Sequence, residues 1–283
     1  NCNVVVIGGG TAGLEAACTA AEVGCNTFLL EKGNELGGLA SLISKIPAKN
    51  RLADFPHYLM HRAEQLENLY IFTNTEGTPE NIRKFHPNII VSSTGSAPLL
   101  PPIAGLKDRI DNEDYNIYSI LGMINHINDF PKDLEGKKVV VVGGGAVGLD
   151  VVEFFADRNA DISIVEMMDQ IGRDLDPVSK NDTKAMMKKH NVHQLTKTAL
   201  LEVKDSSFLV KGDGEPYEIP FEYGFVCLGM RAQGQLYQSL AEEFSSEDVE
   251  IMNIGDSQRA RRIIDGTQEG RNILTILEQR GYL

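Results

Sequence analysis

Residues 4–31 read VVVIGGGTAGLEAACTAAEVGCNTFLLE, and residues 139–166 read VVVVGGGAVGLDVVEFFADRNADISIVE. A shift of 135 aligns the two with ten of 28 positions identical, setting Gly8 on Gly143, Gly13 on Gly148 and Glu31 on Glu166. No other feature narrows the fold as far. Each copy opens on a short all-apolar run, Val4–Ile7 or Val139–Val142. Such runs suit a strand buried on both faces of a parallel sheet. A glycine cluster, a helical stretch and a second strand follow, the first of these helices expected over Gly13–Val23 and the strand after it over Thr27–Leu30. Gly24 in one copy and Asn159 in the other fall where the helix must end on a residue tolerant of positive φ.

The glycines carry a specific chemistry. In GxGxxG the first glycine makes a tight turn, the second lets a pyrophosphate approach the backbone, and the third lets helix pack on strand. The helix N-terminus then faces the phosphates. An acidic residue about 20 positions on accepts hydrogen bonds from a ribose diol. Glu31 and Glu166 each stand 18 residues past the third glycine of their copy. The expected fold is α/β, with two Rossmann-like dinucleotide-binding domains. The first site draws on Gly8, Gly10, Thr11, Ala12, Gly13, Glu31 and Lys32. The second draws on Gly143, Gly145, Val147, Gly148, Glu166 and Met167. A carboxylate at Glu166, followed by Met167 and Met168 in place of an arginine, favours NADH over NADPH. Two dinucleotide sites in one chain suggest electron exchange between two dinucleotides, NADH and a tightly held FAD. Cofactors of this kind carry the chemistry themselves, so no catalytic side chain is expected. An empty, inherited second site remains the alternative.

The rest of the chain places these units. His57–Leu69 has a helical pattern, and Asn88–Ser92 reads as a strand ending in SSTGSAP. Pro98, Pro101, Pro102 and Gly105 mark a crossover. Ile110–Leu134 reads as a connector with one helix. A helix is expected over Ser179–His190, and strands over Thr198–Val203, Ser207–Lys211, Tyr217–Ile219, Phe225–Leu228 and Val249–Ile254. A closing helix is expected to run to about Arg280. The implied division is an FAD domain in two segments, 1–110 and 225–283, with an NAD(H) domain at 111–224 inserted between them.

A net charge of −13 offers no basic footprint for nucleic acid or an anionic membrane. No apolar run approaches the ~20 residues of a membrane span, and no signal peptide is evident. A cytoplasmic protein is expected. The chain begins without Met and is inside a strand by Val4, so it is expected to be part of a longer protein.

With those motifs in view, the sequence resembles the pyridine nucleotide-disulfide oxidoreductase superfamily. The matching pieces are GGGTAG, Glu31, Gly37–Gly38, Ser93–Thr94–Gly95, CLGMR at Cys227–Arg231 and NIGD at Asn253–Asp256. More narrowly, it is similar to the C-terminal half of the 2,4-dienoyl-CoA reductase / 2-enoate reductase / NADH oxidase family, related to old yellow enzyme. NTEGTPENI, EMMDQIGRDLDP and IGDSQRARRIIDGTQEG carry that likeness. The resemblance implies further cofactor contacts at Gly38, Leu39, Gly77, Thr94, Gly95, Gly229 and Gly255. It places Asp256 on the flavin ribitol and Asp150 near the nicotinamide. Gly77 stands where the family usually has valine, Ser93 where it has alanine, and Asp150 where many relatives have glutamate. The implied activity is an NADH-dependent flavin reductase module. Electrons would pass from FAD to a barrel carrying a 4Fe-4S cluster and FMN, which lies outside this chain. Two alternatives stay open: an ADP-holding structural module, and a stand-alone NADH oxidase or reductase.

Four cysteines (Cys2, Cys18, Cys25, Cys227) show no CxxC spacing and read as buried core thiols. His57 and His61 are helix-spaced but lack a third ligand, so no metal is expected. Arg173 is expected along the nicotinamide groove.

Overall fold

Val4–Ile7 forms most of β1 (Asn3–Ile7), and all four side chains are buried. In this computed structural model, which describes residues 2–283, β1 is the centre of a parallel sheet. The glycine turn leads into α1 (Thr11–Glu22), whose small residues on nearly every side allow close packing, and then β2 (Asn26–Leu30). Next come α2 (Gly38–Ile43), α3 (Asp54–Glu64), β3 (Leu69–Phe72), α4 (Pro79–Arg83) and β4 (Ile89–Ser92). The chain then passes through β5 (Ser96–Pro98) into a second unit.

That unit, Pro98–Met230 together with Ile46–Ala48, begins with α5 (Leu106–Arg109), β6 (Ile117–Tyr118) and α6 (Ile120–Asn125). The repeat follows as β7 (Lys138–Val142), α7 (Ala146–Ala156) and β8 (Asp161–Val165). Helix α8 (Pro177–Lys189) starts at Asp176, whose carboxylate accepts from Val178 N at 2.9 Å and Ser179 N at 3.1 Å. Proline at the first helical position needs no partner for its missing N–H. Then come β9 (His193–Leu195), a three-stranded antiparallel sheet of β10 (Ala199–Val203), β11 (Ser207–Lys211) and β12 (Tyr217–Pro220), and finally β13 (Tyr223–Val226). The parallel sheet runs β6-β13-β7-β8-β9. Phe208, Phe221, Val140 and Val226 belong to its core.

The chain returns by β14 (Met230–Ala232), which pairs with β5. It adds α9 (Gln235–Glu243), β15 (Glu250–Asn253), α10 (Ile263–Arg271) and α11 (Ile273–Gln279). The first unit therefore comprises residues up to Lys45, Lys49–Ala97 and Arg231–Leu283. Its sheet runs β15-β4-β1-β2-β3. One face packs Val4, Val6 and Leu29 against Leu14, Ile273 and Leu277; the other packs Val5 and Ile7 against Leu240 and Phe244. The fold is α/β, with one Rossmann-like unit set inside the other.

Several sequence expectations change. The helix expected over His57–Leu69 is α3, Asp54–Glu64, and Leu69 instead opens edge strand β3. Tyr70, Ile71 and Phe72 are exposed, so no burial pattern announced that strand. The single closing helix is two, α10 and α11, and α9 was not foreseen. The units part at Ala97/Pro98 and Met230/Arg231, where the sequence suggested 110 and 225. The decisive strand is β13: it pairs with β7 through Tyr223↔Val139 to Val226↔Val142, in the second sheet. An apolar strand looks alike in either sheet; only its partner distinguishes them.

Candidate functional site

Each glycine turn is locked by its neighbours. A methyl on Gly8 (φ 103°) would overlap the Ser93 carbonyl, and one on Gly143 (φ 109°) the Cys227 carbonyl. A methyl on Gly13 or Gly148 would overlap the carbonyl of the first glycine in its own motif. Glycine is therefore required at all four places by close backbone approach. Gly8 N donates to Leu30 O at 2.9 Å, and Gly143 N to Val165 O at 2.8 Å. Ser93 adds a brace that only the first unit has, its hydroxyl donating to Ile7 O at 2.7 Å and Gly8 O at 3.0 Å.

The acidic residues are anchored the same way. Glu31 Oε2 accepts from Gly9 N at 2.7 Å and Oε1 from Gly33 N at 2.7 Å. Glu166 Oε2 accepts from Gly144 N at 2.7 Å and Oε1 from Met168 N at 2.8 Å. Two backbone amides fix each carboxylate and leave lone pairs outward for a diol. A second loop then folds over each glycine turn. Gly37 N donates to Gly9 O at 2.8 Å, and Gly172 N to Gly144 O at 2.7 Å. Leu36 and Ile171 pack on Gly9 and Gly144. These four loop residues sit at the same offset of 135, so carrying the repeat six residues past Glu31 finds Gly172, which the motif reading passed over.

In the first unit the face of Gly10 is open, the nearest atom to an added methyl being Gly38 Cα at 3.8 Å. Gly255 is brought against Ala12, whose Cβ lies 2.8 Å from where a methyl on Gly255 would stand. Gly255 N donates to Glu269 Oε2 at 2.7 Å. Asp256 accepts from Arg261 N at 3.1 Å and from the Ser96 hydroxyl at 3.2 Å. Thr94 donates its hydroxyl to Gln233 O at 2.7 Å, and Gly95 O accepts from Gln233 N at 3.0 Å. Gly77 packs against Ile7. Thr11 begins α1 and Leu39 lies half-buried in α2. Lys32 is instead an exposed side chain, 3.7 Å from Glu76.

In the second unit a cleft of about 360 Å³ is lined by Gly144, Gly145, Glu166, Met168, Gln170, Arg173 and Asp174. Arg173 thus lines the same cleft as Glu166 and Gly145. Met167 is 67% exposed beside it. Val147 and Asp150 are half-buried on α7. Gly229 (φ 99°) accepts from Leu99 N at 2.9 Å. Burial pushes the Cys227 thiol up to about 12, with Asp150 and Asp111 adding to the shift. All four cysteines are free and buried. Among the described residues no group of three His, Cys, Asp or Glu side chains is placed to hold a metal. Among the described residues no helix is long and apolar enough to cross a membrane.

The residues present suit an adenosine dinucleotide in each unit. Bare helix N-termini at α1 and α7 face the open second glycine, and a fixed carboxylate waits beside them.

The chain is similar to known proteins over nearly its whole length. The family profile described as pyridine nucleotide-disulphide oxidoreductase matches residues 2–251. The chain is 28% identical over 268 residues to an NADH oxidase of Thermoanaerobacter brockii, covering 94% of this chain and 40% of that protein. It is 27% identical over 305 residues to a metal reductase of Desulforamulus reducens, covering 95% and 43%. Among solved structures it superposes on a 2-naphthoyl-CoA reductase complex with a TM-score of 0.80 and 24% identity, covering 95% of this chain and 39% of that one. The chain therefore spans about two fifths of the length of these relatives.

Proposed function

The chain belongs to the pyridine nucleotide-disulphide oxidoreductase family, whose members are flavin-dependent NAD(P)H oxidoreductases, and from that premise we propose that it is the NADH-dependent, FAD-holding reductase module of a larger enzyme. The observation that carries this reading is the doubled cradle, with Glu31 held by Gly9 and Gly33 and Glu166 held by Gly144 and Met168. Gly8, Gly10 and Gly13 would take the FAD pyrophosphate, with Glu31 on its ribose and Asp256 toward the ribitol. Gly143, Gly145 and Gly148 would take NADH, with Glu166 on its ribose. The backbone hydrogen bonds of Glu166 keep its charge toward the ribose, where a 2′-phosphate is repelled; this favours NADH over NADPH. A flavin held by Gly8, Gly10, Gly13, Glu31 and Asp256 would supply the redox chemistry, that of hydride exchange with a nicotinamide. The chain's own residues bind and orient.

The remaining part of the enzyme would carry the electrons onward. The names of the relatives, an NADH oxidase and a metal reductase among them, and the two-fifths coverage support a larger protein. A barrel with FMN and a 4Fe-4S cluster, reducing an enoate-type double bond, is the arrangement we propose.

An anaerobic absorbance spectrum with FAD supplied, before and after one equivalent of NADH, tests the reading. A flavin band that bleaches with NADH, and less with NADPH, is expected. A chain that refuses FAD yet binds ADP overturns it.

A further inference from the structure

The two copies differ where a phosphate would approach. The second glycine of the motif is the one whose missing side chain lets a pyrophosphate come near. At Gly10 that side faces the backbone of Gly38. At Gly145 it faces the carboxylate of Asp174, with Oδ2 at 3.7 Å and Oδ1 at 3.9 Å from an added methyl. The offset of 135 sets Asp174 on Leu39 and Arg173 on Gly38. Both loops are tied to the glycine turn alike, Gly37 and Gly172 making equivalent hydrogen bonds to Gly9 and Gly144, but their main chains then part: Gly38 (φ 58°) opens α2, while the residues after Gly172 form a turn. What stands beside the second glycine differs: backbone of Gly38 in one copy, a carboxylate in the other. Asp174 is exposed, and among the described residues no cation pairs with it. Arg173 lines the same cleft but is not among the atoms nearest Gly145. The side chain nearest the phosphate position is therefore an anion.

We infer that Asp174 is an affinity-setting residue of the second site, opposing the nucleotide pyrophosphate at Gly145 so that this nucleotide is released readily, while the first site retains its own. The inference rests on the NADH reading of the second unit and assigns the division of labour within it. A nucleotide that serves as a substrate must leave after each turnover, and a prosthetic flavin must not. One inherited cradle meets both needs by setting a carboxylate, in place of glycine backbone, beside the second glycine.

Calorimetric titration of the FAD-saturated chain, wild type against Asp174→Asn, tests this with NADH, ADP and adenosine as ligands. The substitution keeps size and removes the charge, exchanging one acceptor oxygen for an amide donor. NADH and ADP are expected to bind roughly two- to fivefold tighter to the variant, the size of an exposed charge interaction. Adenosine, lacking phosphate, is expected to bind both alike. The gain is expected to shrink in ~1 M salt, where the screening length falls to about 3 Å. Unchanged ADP affinity, or an equal change for adenosine, overturns the role of Asp174 while leaving the NADH reading standing. A wild-type chain that binds FAD but neither NADH nor ADP overturns both.

Discussion

At the residue scale, Gly77 shows how one position is set by a single contact. A methyl there would lie 2.5 Å from Ile7 Cγ2 and 3.0 Å from its Cγ1, and Ile7 is held in the central strand with 4% exposure. The valine usual in the resembling family does not fit beside this isoleucine. Gly77→Val is expected to destabilise the protein by about 1–3 kcal/mol through overpacking. Ile7→Ala alone leaves a cavity; the double variant should cost less than the sum of the two, because each relieves the other. Denaturant unfolding of the four proteins checks this, and strictly additive costs would refute the contact. The buried thiols give a pH dependence. Desolvation raises Cys18 to about 11 and Cys227 to about 12 from an ordinary value of 9.0. Between pH 9 and 11–12 the unfolded chain releases these protons while the folded chain keeps them. The folded state then binds more protons, so stability falls as pH rises through that window. Unfolding midpoints at pH 8 and pH 10.5 are expected to differ in that direction, and less so in Cys227→Ala. At neutral pH both thiols should resist iodoacetamide until the chain unfolds.

At the scale of elements, three helices of the first unit are tied through one carboxylate. Glu15 on α1 is 4% exposed and accepts from Arg62 Nη1 of α3 at 2.9 Å and Arg271 Nε of α10 at 2.8 Å. Arg62 also donates to Glu22 at 2.5 and 2.7 Å, and these bonds hold the Glu22 carboxyl below its ordinary value. Arg62→Met removes one partner of a buried charge, so it is expected to cost about 3 kcal/mol in denaturant unfolding. Adding Glu15→Gln should recover part of that loss, and no recovery would place the cost in packing alone. The paired elements of the repeat also explain what was legible. Val4–Ile7 and Val139–Val142 were readable as strands because burial on both faces leaves no polar position. Phe225–Leu228 was readable as a strand but not as a member of the second sheet, because pairing is settled by the backbone of a distant partner. Edge strand β3 carries an apolar run too, Leu69–Phe72, but its first residue falls within the helix expected over His57–Leu69, and its other three side chains are exposed where a core strand would bury them.

At the scale of the whole molecule, the order of segments decides what can fold separately. Residues 98–230 form nearly all of the second unit, to which the early segment Ile46–Ala48 also belongs, and hold a core around Phe208, Val140 and Val226. The first unit needs its late segment, since Ile254, Ile273 and Leu277 complete the core beside α1. A chain of residues 98–230 is expected to unfold cooperatively by circular dichroism, as a domain with its own core does. A chain of residues 1–97 alone is expected to lack a cooperative transition, because β15, α10 and α11 are missing from its sheet and core. A cooperative transition there would show the late segment to be dispensable.

The sequence by itself determined the doubled strand–glycine–helix–strand unit, the α/β class, the paired Glu31 and Glu166, and the family likeness. These follow from local rules: apolar runs, glycines at fixed spacing, and one offset applied throughout. Only the tertiary structure decided that β13 belongs to the second sheet, that Ile7 dictates Gly77, and that a carboxylate faces Gly145 where Gly38 faces Gly10. Each of these depends on which atoms meet after distant segments pack, and no spacing along the chain carries that distance.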